Sequence, residues 1–223
     1  TTAVGIQYIL NSDKFLFAPS STVFGIDNNS NFIEDTKLGA KGGTNTALTH
    51  QLVNTFGTFI QHNWKSNKVN LSFGLRFDNY LVRDQHGTTE EQADDVSNGV
   101  LAPRFGILYK INPAIRLRAG YAKGYRAPQV FNEDLHIELV NAKRVLHRNS
   151  EDLTQETSHS FSLSLNTDFT LGETVNSFLA EGFYTRLNDA FADEYNLVDS
   201  SSNEWEYHRI NADGGAVAYG INL

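Results

Sequence analysis

The sequence predicts an all-β protein: an antiparallel, up-and-down transmembrane β-barrel with about eight strands in this chain. Three observations predict it. Apolar and polar residues alternate strictly over many short stretches, the two-residue period of a strand. The connections between those stretches are alternately short and long, as in barrels with tight turns at one rim and long loops at the other. Sorting each stretch by alternate position also separates a charged face from a greasy one, which suits a wall between water and lipid.

The clearest strand is Lys68–Tyr80, where Val69, Leu71, Phe73, Leu75 and Phe77 alternate with Lys68, Asn70, Ser72, Gly74, Arg76 and Asp78. A helix would mix the two sets. His159–Leu165 repeats the pattern with Phe161, Leu163 and Leu165 against serines, and Ile115–Tyr121 with Ile115, Leu117, Ala119 and Tyr121 against Arg116, Arg118 and Gly120. In Leu101–Ile111 the set Leu101, Phe105, Ile107, Tyr109 and Ile111 opposes Arg104, Gly106 and Lys110. Pro103 cannot donate a ladder hydrogen bond, which places it at that strand's outer entry. Weaker patterns mark Ala3–Leu10, Gln51–Trp64, Val175–Asn188 and Gly214–Leu223, and Val175–Asn188 is apolar on both faces. The short connections are 65–67, 112–114 and about 169–174; the long ones are about 11–50, 81–99, 124–156 and 189–210. With short turns on one side, Lys68–Tyr80, Ile115–Lys123 and Val175–Asn188 run toward the long loops. Trp64, Tyr80, Tyr109, Tyr121 and Phe169 lie near strand ends, where interfacial aromatic girdles belong.

Composition narrows the alternatives. The 223 residues carry 18 Lys and Arg against 26 Asp and Glu, a net charge of −8, which argues against nucleic-acid binding. With no Cys, disulfide scaffolds, thiolate metal sites and thiol nucleophiles are excluded. No apolar run reaches the ~18–20 residues of a spanning helix, but a spanning strand needs only ~9–11 residues with every second one apolar. The absence of Met leads us to expect a processed N-terminus or a segment of a longer chain. Two other architectures generate the same alternation: a soluble or surface β-sheet domain that binds a ligand or adhesion partner, wet on one face, and a small passive eight-stranded barrel. No nucleophile elbow, phosphate loop or His-Glu-x-x-His spacing is present, so no enzyme is expected.

The stretch Val100–Phe183 goes beyond a generic barrel. It contains Pro103-Arg104-Phe105, a short turn, then Gly124-Tyr125-Arg126-Ala127-Pro128, then Asn149-Ser150-Glu151-Asp152-Leu153-Thr154-Gln155-Glu156, a serine-rich strand and Glu181–Phe191. Together these resemble the barrel of TonB-dependent outer-membrane receptors, Bacteroidetes members in particular. The resemblance implies about eight strands of a 22-stranded barrel in a Gram-negative outer membrane. On that reading residues 1–223 are part of one barrel domain, and the plug domain and energy-coupling box of the family are not present in this sequence. It also implies energy-coupled uptake of a scarce nutrient (ferric siderophore, haem or cobalamin), with outer-membrane lipid, the TonB complex and a surface lipoprotein as partners. No cofactor is implied.

Candidate ligand-facing residues follow from that placement. The loop after Gly124 carries Tyr125, Arg126, Gln129, Glu133, Asp134 and His136, a polar cluster at the barrel mouth. For Arg126 and Pro128 the favoured role is to end the strand, and for Glu133, Asp134 and His136 it is simple solvation. Arg104, Arg116 and Arg118 make a basic stripe on the charged face, suited to an anionic substrate, to plug carboxylates or to pairing within the wall with Asp78 or neighbouring residues. The acidic loop 83–96 lacks the spacing of a dedicated calcium site and is expected to be solvated.

Overall fold

The computed structural model describes residues 1–37, 46–84, 95–128, 144–150, 152–199 and 204–223, and among them every regular element is a strand. In chain order these are β1 (Thr2–Phe15), β2 (Ala18–Lys37), β3 (Thr46–Lys65), β4 (Val69–Asp84), β5 (Val96–Lys110), β6 (Ile115–Arg126), β7 (Arg144–Asn149), β8 (Glu156–Leu171), β9 (Thr174–Asn188), β10 (Phe191–Asp199), β11 (Glu204–Asn211) and β12 (Ala216–Asn222). Nine of them form one sheet in the order β1-β2-β3-β4-β5-β6-β8-β9-β12, antiparallel throughout. The edges β1 and β12 do not pair with each other, so the sheet is open and is not a closed eight-stranded barrel.

The strand count corrects the reading of 11–50 as one long loop. That span holds the end of β1, a tight turn at Leu16-Phe17 and all of β2, paired with β1 over 18–30 and with β3 over 20–37. With β2 in place, the tight connections between successive strands of the large sheet (16–17, 66–68, 111–114 and 172–173) lie at one end and the long ones at the other. Adjacent strands therefore run alternately, and β4, β6 and β9 run away from the tight turns as expected.

Register separates the faces. Phe73, Phe105, Tyr121, Phe161, Tyr184 and Tyr219 are successive cross-strand partners from β4 to β12, an aromatic row on one face. On β4 that face shows Val69, Leu71, Phe73, Leu75 and Phe77, the length of a spanning strand. Many of these side chains are exposed, including Phe73, Phe77, Phe105, Phe161 and Leu163. A row of exposed Phe and Leu in water would drive aggregation, whereas in lipid it is the stable arrangement. The register also orients β9: Phe178, Ala180, Gly182 and Tyr184 share the aromatic face, while Leu179 and Phe183 share the polar one. Tyr80 is not a girdle residue. It lies on the polar face with 1% of its surface exposed.

The polar face is the inner one, where a second layer covers it at the long-loop end. Val53, Tyr80, Val82 and Val100 from β3, β4 and β5 form a small core there with Ala127, and Tyr125 and Val96 pack against it. β6 reaches this core by leaving β5. Their pairing ends at Arg104–Ala122, whereas β5 continues along β4 to Val96–Val82. Pro103 is the next residue of β5, and a residue without an N–H suits a place where a ladder stops on one side. Pro103 thus sits in mid-strand at the parting of two strands, not at the strand's entry. Within the long connections β10, β11 and β7 form a second, three-stranded sheet, in which β11 and β7 run parallel.

Candidate functional site: the inner wall and its mouth

Three arginines line the inner wall, two of them in the same way. Arg76 on β4 lies flat across β3. Its Nη1 and Nη2 donate to the two carboxylate oxygens of Asp27 on β2 at 2.7 and 2.6 Å, and its Nε donates to Asp78 at 2.9 Å. The path crosses Gly57, where an added Cβ would fall within 2.7 Å of the Arg76 Cζ and 2.5 Å of an Asp78 oxygen. The glycine is thus a notch that lets one guanidinium tie three strands together. Arg104 on β5 repeats the device over Gly74, whose Cβ would meet the Arg104 Cγ at 2.8 Å, and donates to Gln61 on β3. Arg116 on β6 pairs instead with Asp168 at 2.6 Å and with Asn166 on β8. Asp78 therefore serves Arg76 and not the basic stripe, and Arg118 has no ion-pair partner among the described residues.

At the mouth the aromatic pair Tyr80 and Tyr125 stacks, with ring centroids 6.0 Å apart. Tyr125 faces Asp78 and Thr55; burial, then the Asp78 charge, pushes its phenol well above the usual tyrosine range. Burial also raises the Tyr80 phenol. The Tyr80 hydroxyl donates to Gln155 Oε1 at 2.8 Å, and Asn98 Nδ2 donates to the same oxygen at 2.8 Å. Arg126, next to Tyr125, sits over the Phe191 ring at 5.9 Å, and Arg209 approaches that ring at 5.7 Å. Phe191 between two guanidiniums fastens the small sheet to the wall. Asn211 adds to that joint, its amide donating to the carbonyls of Thr154 and Asp189 at 3.1 and 2.6 Å.

The structure thus brings Tyr125 and Arg126 to the mouth and sets Arg104, Arg116 and Arg118 on the wall below. Gln129, Glu133, Asp134 and His136 lie outside the described residues, as does most of the acidic loop, of which Arg83 and Asp95 are seen paired at 2.9 Å. Among the described residues no group of three potential metal ligands converges. The reading missed Asp27, because β2 itself was missed, and Gln155, which carries no sequence signal for its role. Gly57 could have been found, as a glycine between Phe56 and Thr58 inside a strand marks a close approach.

The family model described as TonB dependent receptor-like, beta-barrel matches residues 2–223. The chain belongs to the TonB-dependent receptor barrel family. It is accordingly an outer-membrane protein, and its relatives are receptors and transporters. Among solved structures, the FrpB iron transporter from Neisseria meningitidis is 17% identical, with a TM-score of 0.67 over 98% of this chain and 33% of its own. The Serratia marcescens hemophore receptor HasR, solved with its hemophore HasA and heme, is 15% identical, with a TM-score of 0.71 over 98% of this chain and 38% of its own. The copper transporter OprC is 16% identical, with a TM-score of 0.66 over 98% and 33%. At these identities the likeness is one of fold. No similar sequence is found among curated proteins. The chain spans about a third of the length of the solved receptors it matches.

For a TonB-dependent receptor barrel the arrangement makes physical sense. Charged side chains laid flat in glycine notches keep the wall polar without filling the lumen, while the outward aromatic row meets lipid. The wall presents hydrogen-bonding groups and charge to the inner side of the sheet.

Proposed function

We propose that this chain is a barrel segment of a receptor that captures a scarce nutrient outside the cell, an iron chelate or haem, and imports it by energy coupling through TonB. The observation that carries the reading is the two-sided sheet: an apolar outer face and a charged inner wall, laid out over 98% of the chain like the solved FrpB and HasR barrels. In this reading residues 1–223 belong to one barrel domain, and a plug domain, outside this sequence, links it to TonB. The edges β1 and β12 pair with the remaining strands of the wall, since an unpaired edge is not stable in lipid. The long-loop end faces outward, and Tyr125, Arg126, Gln129, Glu133, Asp134 and His136 meet the ligand at the mouth, with Arg104, Arg116 and Arg118 along the conduit.

The test is growth of an iron-limited Gram-negative host that lacks its own receptors and carries the full-length receptor. A ferric siderophore or haem should restore growth only when TonB is present. Growth restored equally without TonB would refute energy coupling, and failure across ferric siderophores and haem would refute the substrate class.

A further inference from the structure

The tight-turn rim of the inner wall carries a cluster of four cations, of which the pairings above match only Arg116. Lys65 ends β3, Lys110 ends β5, and Arg116 and Arg118 open β6, so strand ends around two neighbouring turns converge. Together with Asn70 and Asn166 they line one cavity of about 480 Å³, the size of a small-molecule site. Arg116 is matched by Asp168. Lys65, Lys110 and Arg118 have no side-chain partner among the described residues, and the next inward carboxylate, Glu181, lies two strands from Arg118 in register.

The register sharpens the point. Lys110 and Arg116 are direct cross-strand partners, with Arg118 two residues along the same face. Like charges directly opposite each other destabilise a sheet. A wall that keeps three cations together carries an electrostatic cost that a bound anion would remove. A guanidinium fork next to an ammonium suits an oxyanion, which accepts bidentate and single hydrogen bonds at once.

We propose that Lys65, Lys110, Arg116 and Arg118 form an anion-binding site at the tight-turn rim, taking a small solute with two or more negative charges. It deepens the uptake reading and rests on it for its role: the site receives an anionic chelate that has passed the mouth. The alternative occupant is a carboxylate-bearing segment of the rest of the receptor, and the test separates the two. The full-length receptor in detergent is titrated with sodium pyrophosphate by calorimetry at low salt, beside the Lys110→Gln/Arg118→Gln variant and the charge-conserving Lys110→Arg. The wild type and Lys110→Arg should bind saturably, the double variant about tenfold more weakly, and added salt should weaken all three. In anion-free buffer the double variant should melt at the same temperature or higher, because like-charge repulsion has been removed. Absence of saturable binding, equal affinity in wild type and double variant, or a lower melting temperature of the double variant would each overturn the site; the last would mean that protein carboxylates already neutralise these cations. None of these readouts depends on uptake, so a failed growth test would refute the transport reading and leave the binding result standing.

Discussion

Replacing Gly57 with Ala tests whether the notch beneath Arg76 holds the wall together. The new Cβ would stand within 2.7 Å of the Arg76 Cζ, so the guanidinium must lift off β3 and give up its reach to Asp27. The Arg76 and Asp27 side chains are 35% and 34% exposed, so that pair alone contributes no more than about 1 kcal/mol. Asp78 is 6% exposed, and weakening its bond to Arg76 adds about 1–2 kcal/mol. The expected cost is about 2 kcal/mol. In an Arg76→Ala background the guanidinium is gone and only the Asp78 oxygen, 2.5 Å from the new Cβ, must turn aside, a cost offset by the gain of about 0.5–1 kcal/mol from exchanging Gly for Ala in an extended strand. The penalty should therefore shrink to near zero. Urea unfolding of the four full-length proteins, followed by tryptophan fluorescence, measures both legs of the cycle. An equal penalty for Gly57→Ala in the two backgrounds would refute the notch.

Leu16 opens the first tight turn at φ 62°, left-handed backbone that a Leu adopts at a cost of about 1–2 kcal/mol. Leu16→Gly or Leu16→Asn should therefore raise the free energy of unfolding by about 1 kcal/mol, and a drop would mean that the exposed Leu side chain makes contacts worth more than the strain. For the mouth, phenols whose folded pKa is raised stabilise the fold fully below the ordinary value of about 10 and lose that contribution as pH rises through the folded value. At pH 11 the phenolate absorbance of wild type and Tyr125→Phe should be equal, because Tyr125 is still protonated; a difference of one phenolate would show that it is not shielded. The absence of cysteine makes a labelling scan clean. Spin labels at 161, 163 and 165 should respond to oxygen in the lipid and those at 160, 162 and 164 to a nickel chelate in water, and a loss of this alternation would contradict the assigned faces.

The legibility of these elements differed for physical reasons. β4 and β8 were plain because each buries one face in lipid and wets the other, so their two-residue period is undiluted. β2 was invisible on two counts. Its outer end, Asn28-Asn29-Ser30-Asn31, is polar on both faces, since Asn54 bonds Asn28 and Ser30 across the strands above the apolar belt. The turn before it, Leu16-Phe17, contains no Gly, Asn, Asp or Pro. β10, β11 and β7 stand above the belt, where lipid imposes no alternation. Of the site, Arg104, Arg116 and Arg118 were readable as one charged face, but their different partners were not. Asp168 and Gln61 become neighbours only through register, which the turns fix and composition does not. Tyr80 was misplaced because an aromatic near a strand end looks the same from sequence whether it faces lipid or a covered mouth.

The parallel pairing of β11 with β7 bears on the order in which the molecule assembles. Every ladder of the large sheet except β6–β8 and β9–β12 joins consecutive strands, so most of the wall can grow hairpin by hairpin. β7 and β11 are separated in the chain by β8, β9 and β10, and no local hairpin brings them together. Their ladder can form only once the β8–β9 hairpin has carried residue 204 back beside residue 144. The small sheet is therefore assembled in two parts: the β10–β11 hairpin is local, whereas β7 can join it only after the β8–β9 wall is in place.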